Sequence, residues 1–343
     1  MWRLISGLWL GTAAFSQIKV EFPKDAPLTV VSGDWGGSRI SPRGGALVLD
    51  LRTSLVLKNT SAERVRGVTL LVTAAELTAG GKASVTVPSL DVKPGETFPV
   101  RIDLRLLRPN AGFQAAVVVT LDGVLFDSLG FYGENKLNSR RAMLAWELEA
   151  RRDRRHFLEA LARGGPSLLQ AEIVAAIARM DSQPRLDVQV VRGRSTNVEP
   201  DQVIPLAALD LPGAPVEILA GQAGMAGFEL RSPSFEIRNR SSSPIRFVEL
   251  GWGTRQATGG AFPAEVALQP GERTLISPEV TLKMPAALTD LTAFVSTVEF
   301  SDGSVWVPPA RSLRRVSPEE QRLTEIYRRR GLDALIGELK KFQ

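Results

Sequence analysis

The chain has 343 residues, of which 44% are hydrophobic and 23% charged, and a formal net charge of +5. That length calls for two domains, and the composition is that of a globular chain rather than a disordered one. There is no cysteine and a single histidine, His156, which excludes disulfides, thiolate sites, cysteine nucleophiles and multi-histidine metal centres.

Residues 1–16 carry Arg3, an apolar run from Leu4 to Phe15, and Ala14 and Ser16 placed three and one positions before a cut ahead of Gln17. This is the pattern of a secretory signal peptide. It is too short to cross a bilayer, which takes about 20 residues. The expected location is periplasmic or extracellular, with no integral span and no nucleic-acid partner.

Residues 17–137 read as a first β domain. Leu28 to Ser32 is a short strand. The stretch 33–45 is a glycine-rich loop without the Lys-Ser/Thr ending of a phosphate loop; as a binding loop it would offer Asp34, Trp35, Ser38 and Arg39. Strands follow at 46–58 and 65–73 around an Asn59 to Glu63 turn. Further strands are expected at 83–90, 97–106, 114–121 and 124–129. Pro94-Gly95 and Asp122-Gly123 separate them, and Asp-Gly between apolar runs signals a hairpin. Short strands with regular turns over about 100 residues suggest an antiparallel immunoglobulin-like sandwich.

At 138–183 the period changes to that of helices. Asn138 or Ser139 caps a helix to Arg163, Gly164-Gly165-Pro166 breaks it, and Ser167 caps a second to Met180: a helical hairpin linker that sets the angle between the two halves. Glu147 and Arg151 are four apart, Glu149 and Arg152 three apart; such pairs support an exposed helix by about 0.2–0.5 kcal/mol each. The same run offers Arg151, Arg152 and Arg155 to an acidic protein surface or lipid headgroups. His156 is expected on the helix surface.

Residues 184–316 repeat the plan. The hairpin 54–70 matches 234–250 at an offset of 180 without a gap. Pro94-Gly95-Glu96 returns as Pro270-Gly271-Glu272, Asp122-Gly123 as Asp302-Gly303, and Leu158-Glu159-Ala160-Leu161 as Leu332-Asp333-Ala334-Leu335. Residues 192–226 are expected to hold an irregular insertion. Ser317-Pro318-Glu319-Glu320 opens a C-terminal helix over 317–343, expected to pack on a sandwich. The predicted fold is mainly β with helices: two antiparallel immunoglobulin-like sandwiches, each followed by a helical segment, from an internal duplication. Asn59-Thr60-Ser61 and Asn239-Arg240-Ser241 fit the glycosylation pattern but read as duplicated turn chemistry.

The strand–turn–strand around Asn59-Thr60-Ser61, followed by Leu90-Asp91-Val92-Lys93-Pro94-Gly95-Glu96, resembles bacterial exported proteins with tandem immunoglobulin-like, adhesion-type domains. The resemblance covers 28–135 and, more loosely, 186–312, and brings no catalytic residues. Together these readings point to a non-enzymatic envelope protein that binds or scaffolds another envelope protein and needs no cofactor or metal. One alternative is a periplasmic chaperone acting by β-strand addition. Another is a carboxylate-dependent hydrolase with its site in an inter-domain cleft.

Overall fold

The computed structural model describes residues 18–75, 80–109, 117–182, 188–193, 200, 202–254, 258–283, 291–309 and 316–342; the expected signal segment 1–16 lies outside them. The described residues are mainly β, with two helices and several sheets. It divides into two units between Leu144 and Ala145.

The first unit contains β1 (Ile18–Glu21), β2 (Leu28–Asp34), β3 (Arg39–Arg43), β4 (Ala46–Asn59), β5 (Val65–Thr73), β6 (Lys82–Val87), β7 (Thr97–Pro109), β8 (Val117–Phe126) and β9 (Phe131–Tyr132). In one sheet β4 is flanked by β2 and β3 on one side and by β7 on the other. The other sheet runs β1-β8-β5-β6, with β9 also on β8. Alternation fixes the faces. Leu49, Leu51, Leu55 and Leu57 of β4 are fully buried, whereas Asp50, Arg52 and Lys58 face outward. The buried leucines share one core with Val68, Leu70 and Val72 of β5, Val100 and Ile102 of β7, and Val119 of β8. Each buried Leu or Ile contributes about 1.5–3 kcal/mol.

The second unit contains β10 (Gln189–Arg192), β11 (Gln202–Pro205), β12 (Ala207–Leu209), β13 (Val216–Ala226), β14 (Glu229–Asn239), β15 (Ile245–Gly253), β16 (Thr258–Leu268), β17 (Arg273–Ile276), β18 (Val280–Lys283), β19 (Thr292–Phe300) and β20 (Val305–Trp306). One sheet runs β10-β18-β14-β13-β11 with β17 also on β14; the other runs β12-β19-β15-β16 with β20 on β19. Phe235, Ile237, Val248, Leu250, Trp252 and Phe262 lie at the centre of its core.

The two Asn turns are built alike. Asn59 is buried; its Nδ2 donates to the carbonyls of Glu63 (2.8 Å) and Val92 (3.1 Å), and its Oδ1 accepts from Ser61 N (3.0 Å) and Oγ (2.7 Å). Asn239 makes the same contacts with Ser243 O (2.9 Å), Leu268 O (3.1 Å) and Ser241 N and Oγ (2.9 and 2.7 Å). A neighbouring turn leans on each: Gly95 N donates to Asn59 O at 2.8 Å, and Gly271 N to Asn239 O at 3.0 Å. Both glycines need positive φ, 80° and 76°, which a side chain disfavours.

Several expectations give way here. The stretch 33–45 is not one loop: it contains β3, paired with β4 from Arg39↔Asp50 to Arg43↔Ala46. Of the stretch 192–226, residues 194–199 and 201 lie outside the described residues, and 202–226 carry β11, β12 and β13 in place of an irregular insertion. Asp122-Gly123 makes no hairpin, because β8 runs straight through it. Asp122 is an extra residue in a bulge, as the register steps from Thr69↔Gly123 to Leu70↔Leu121. Its carboxylate accepts from the Ser139 hydroxyl at 2.7 Å. Asp302-Gly303 does turn the chain, between β19 and β20. The bulged counterpart of Asp122 is Ser296, between Glu249↔Thr297 and Leu250↔Val295. The two Asp-Gly pairs are therefore not equivalent positions.

Helix α1 (Ser139–Ser182) is interrupted at Gly164 and Gly165, the latter at φ 63° and ψ −160°. Pro166, which lacks an N–H that a helix start leaves unbonded anyway, opens its second arm. Helix α2 (Pro318–Leu339) is interrupted at Gly331 (φ 80°, ψ −174°) and continues into a 3-10 turn, Lys340–Phe342. Ser317 caps α2, its Oγ accepting from Glu320 N at 3.0 Å. Phe157, Leu169, Ile173 and Ala176 of α1 form a separate apolar core with Leu323, Leu335 and Leu339 of α2. The C-terminal helix thus packs on α1, where packing on a sandwich was expected.

Candidate functional site

Asp34, Trp35, Ser38 and Arg39 lie at the junction of β2 and β3. Asp34 Oδ1 accepts from Gly36 N at 3.0 Å and closes a short turn; its carbonyl accepts from the Thr53 hydroxyl. Ser38 is buried. Its Oγ accepts from Arg52 N (2.9 Å) and donates to Arg52 O (3.3 Å), standing in for ladder bonds where the edge passes from β2 to β3. Trp35 is half-buried against the first core. Trp35 and Ser38 are therefore engaged in holding the sheet, while Asp34 and Arg39 are exposed.

Register carries those two onto a charged solvent face. Arg39 lies opposite Asp50, and Asp50 opposite Arg105; Asp34 lies opposite Ser54, and Ser54 opposite Arg101; Arg52 lies opposite Asp103. Arg105 Nε donates to Asp50 Oδ1 at 2.7 Å, and that bond with its charge raises the guanidinium above its ordinary pKa. Arg101, Asp103 and Arg105 were not singled out from the sequence. Charges at every second residue, around Val100, Ile102 and Leu104, were the available signal.

This face ends at β7. Over its 13 residues β7 pairs with β4 alone among the described residues. Its counterpart edge in the second unit is different. There β17 and β18 take the corresponding side of β14, with Arg238↔Arg273 and Ile237↔Thr274 as Lys58↔Thr97 and Leu57↔Phe98 in the first unit. That edge carries a further strand, β10, antiparallel on β18 from Gln189↔Lys283 to Arg192↔Val280.

The arginine run on α1 splits. Arg151 is half-exposed and reaches Glu147 at 3.1 Å. Arg152 turns to Asp153 (2.9 Å) and to the Pro308 carbonyl (2.9 Å), not to Glu149 as its spacing suggested. Arg154 is buried between Glu147 (2.7 Å) and Glu319 (3.3 Å). Arg155 is exposed. The run is thus half embedded in the α1–α2 contact and does not form one exposed patch. His156 Nε2 meets Glu172 Oε2 at 2.9 Å, joining the two arms of α1.

Among the described residues no group of three or more His, Asp or Glu side chains is placed to hold a metal ion, and no helix is long and apolar enough to cross a membrane.

No protein-family model and no curated protein matches the chain. Among solved structures it is similar to red sea bream transglutaminase, at 10% identity and a TM-score of 0.13, over 82% of this chain and 31% of that one. It is also similar to a β-glucosidase from Kluyveromyces marxianus, at 8% identity and a TM-score of 0.16, over 78% of this chain and 45% of that one. The chain spans less than half of either protein, and likenesses this slight carry no argument about fold or activity.

Proposed function

We propose that the chain is a non-enzymatic protein-binding or scaffolding protein of the bacterial envelope, built from two immunoglobulin-like sandwiches with helical segments that arose by internal duplication. Matched irregularities support the duplication. The register shifts at Val65/Gly67 and Thr69/Leu70 recur at Ile245/Phe247 and Glu249/Leu250. The parallel pair β1–β8 recurs as β12–β19. An immunoglobulin-like reading fits strand order, since β4 lies between β2 and β7 while β5 pairs with β8. Export rests on the composition of residues 1–16.

The observation that carries the binding reading is the outer edge of β7 over Pro99–Arg105, which has no strand partner among the described residues and lies beside a charged face, because an open edge is a template for another chain. The test is crosslinking and capture of the tagged full chain from native envelope, followed by mass spectrometry. A single partner recovered in a stable pairwise complex is expected. A monomer that captures nothing specific refutes the reading.

The same edge supports a second reading, a chaperone that holds client strands. It predicts many different captured clients and suppressed aggregation of an unfolded substrate.

A further inference from the structure

The backbone of β7 and the charges along it specify the chemistry of the segment that would dock there; this step rests on the protein-binding reading. Leu107 N donates away from β4, to Gly80 O at 2.9 Å, while Glu96 O accepts from Asn59 N on the β4 side, also at 2.9 Å. In a strand these directions alternate. The odd-numbered residues from Pro99 to Arg105 therefore turn their backbone groups outward, and β7 has no second strand neighbour to receive them among the described residues. Pro99 supplies only a carbonyl; Arg101, Asp103 and Arg105 supply N–H and C=O.

The second unit shows such an edge filled, since β10 lies antiparallel on β18. We propose that Pro99–Arg105 receives an extended segment of a partner protein, antiparallel to β7. That segment has acidic side chains opposite Arg101 and Arg105, a basic one opposite Asp103, and apolar ones between. Directly opposite residues share a face about 4.5–5.5 Å apart, so opposite charges there attract and like charges repel. The intervening positions lie on the side of Ile102, which is buried, and Leu104, which is half-buried, and so call for apolar partners.

A second copy of β7 suits the edge poorly. The antiparallel register that sets Asp103 against Asp103 also sets Arg101 against Arg105, like against like. The register that sets Arg101 against Asp103 places Pro99, without a donor, against Arg105.

The test uses the full chain and two fluorescent peptides flanked by serines, Glu-Val-Lys-Val-Glu and its charge inverse Lys-Val-Glu-Val-Lys. The first is expected to bind at least about tenfold more tightly and to slow amide exchange at Arg101, Asp103 and Arg105. Asp103→Pro removes one outward N–H and spares the β4 ladder, since a proline is tolerated where an edge N–H faces solvent. It is expected to weaken the first peptide about tenfold with an unchanged unfolding midpoint. Should that variant unfold, Asp103→Arg keeps the question open to decision: it should transfer preference to a Glu-Val-Glu-Val-Glu peptide. Equal affinity for the two peptides, protection located elsewhere, no effect of either variant, or self-association of the wild type that Asp103→Pro abolishes would each overturn the proposal. If Asp103→Pro still captures the envelope partner of the wild type, the docking site is wrong and the binding reading stands. If the wild type captures nothing, the binding reading itself fails.

Discussion

Arg154 Nη1 lies 3.3 Å from the Glu319 carboxylate, and both side chains are buried where α1 meets α2. The other side of the guanidinium holds Glu147 at 2.7 Å, and the Phe342 ring lies 4.3 Å from its central carbon. Buried charges persist because they are paired, and removing one partner strands the other in a medium of low polarity. Arg154→Ala is expected to destabilise the helical cluster by about 3 kcal/mol, the low end of the range for broken buried pairs, because Arg151 still reaches Glu147 and Arg322 still reaches Glu319 at 2.8 Å. Urea unfolding followed by helical circular dichroism measures it. A loss within the scatter of a surface substitution would mean that Arg154 is solvated.

The Asn turns predict a matched pair of losses. Asn59→Ala leaves the buried carbonyl of Val92 without its side-chain donor and frees Ser61; Asn239→Ala does the same to Leu268 O and Ser241. Each is expected to cost about 1–3 kcal/mol, the range for a lost buried hydrogen-bond partner, with Asn59→Ala toward the low end because Val92 O keeps its bond from Val65 N at 2.9 Å. Asn→Asp should cost more, since it turns an acceptor toward two carbonyls. Denaturant unfolding of single and double variants checks this. Losses that differ widely between the two sites would show that the turns are alike in geometry but not in energetics.

Local chemistry was legible where one residue type has one physical use. Asn59, Asn239, the Pro-Gly-Glu turns and the Gly164-Gly165-Pro166 break could be placed from residue identity and spacing because each closes or breaks its own stretch of backbone, although the bonds of Asn59 to Val92 O and of Asn239 to Leu268 O came only with the fold. What required the fold was anything settled by distant partners. Asp122-Gly123 has the composition of a turn, yet pairing with β5 and the Ser139 hydroxyl hold it in a bulge. The four arginines between Arg151 and Arg155 look alike in sequence, but α2 buries Arg154 and leaves Arg155 in solvent. The stretch 33–45 looked like a loop because its glycines mask the pairing of β3 with β4. Of the seven side chains singled out for binding, Asp34 and Arg39 share one face with Arg101 and Arg105. Register alone shows this, since the residues lie far apart in sequence.

The two helix breaks are tested at their glycines. Gly165 (φ 63°, ψ −160°) and Gly331 (φ 80°, ψ −174°) occupy backbone conformations that a Cβ opposes. Gly165→Ala and Gly331→Ala are expected to destabilise the cluster by about 1–3 kcal/mol each. No neighbouring atom lies within reach of an added Cβ at either site, so the loss reports backbone strain alone. Unchanged unfolding midpoints would show that the breaks tolerate ordinary backbone geometry.

Glu338 gives the cluster a dependence on acid. Burial pushes its carboxyl up, but hydrogen bonds from Lys341 and Arg322, both at 2.6 Å, and their charges outweigh that and hold it below the usual carboxylate range. A carboxyl depressed on folding adds stability that is fully present above its unfolded pKa, about 4.3. That stability is lost as the pH falls through the lower folded value. The helical signal should therefore become easier to melt as the pH drops below about 4. Glu338→Gln cannot ionise, so it should weaken the cluster at neutral pH and flatten this part of the profile. Thermal melts of both proteins between about pH 6 and pH 3 decide it: parallel profiles would mean that the acid response does not arise at Glu338.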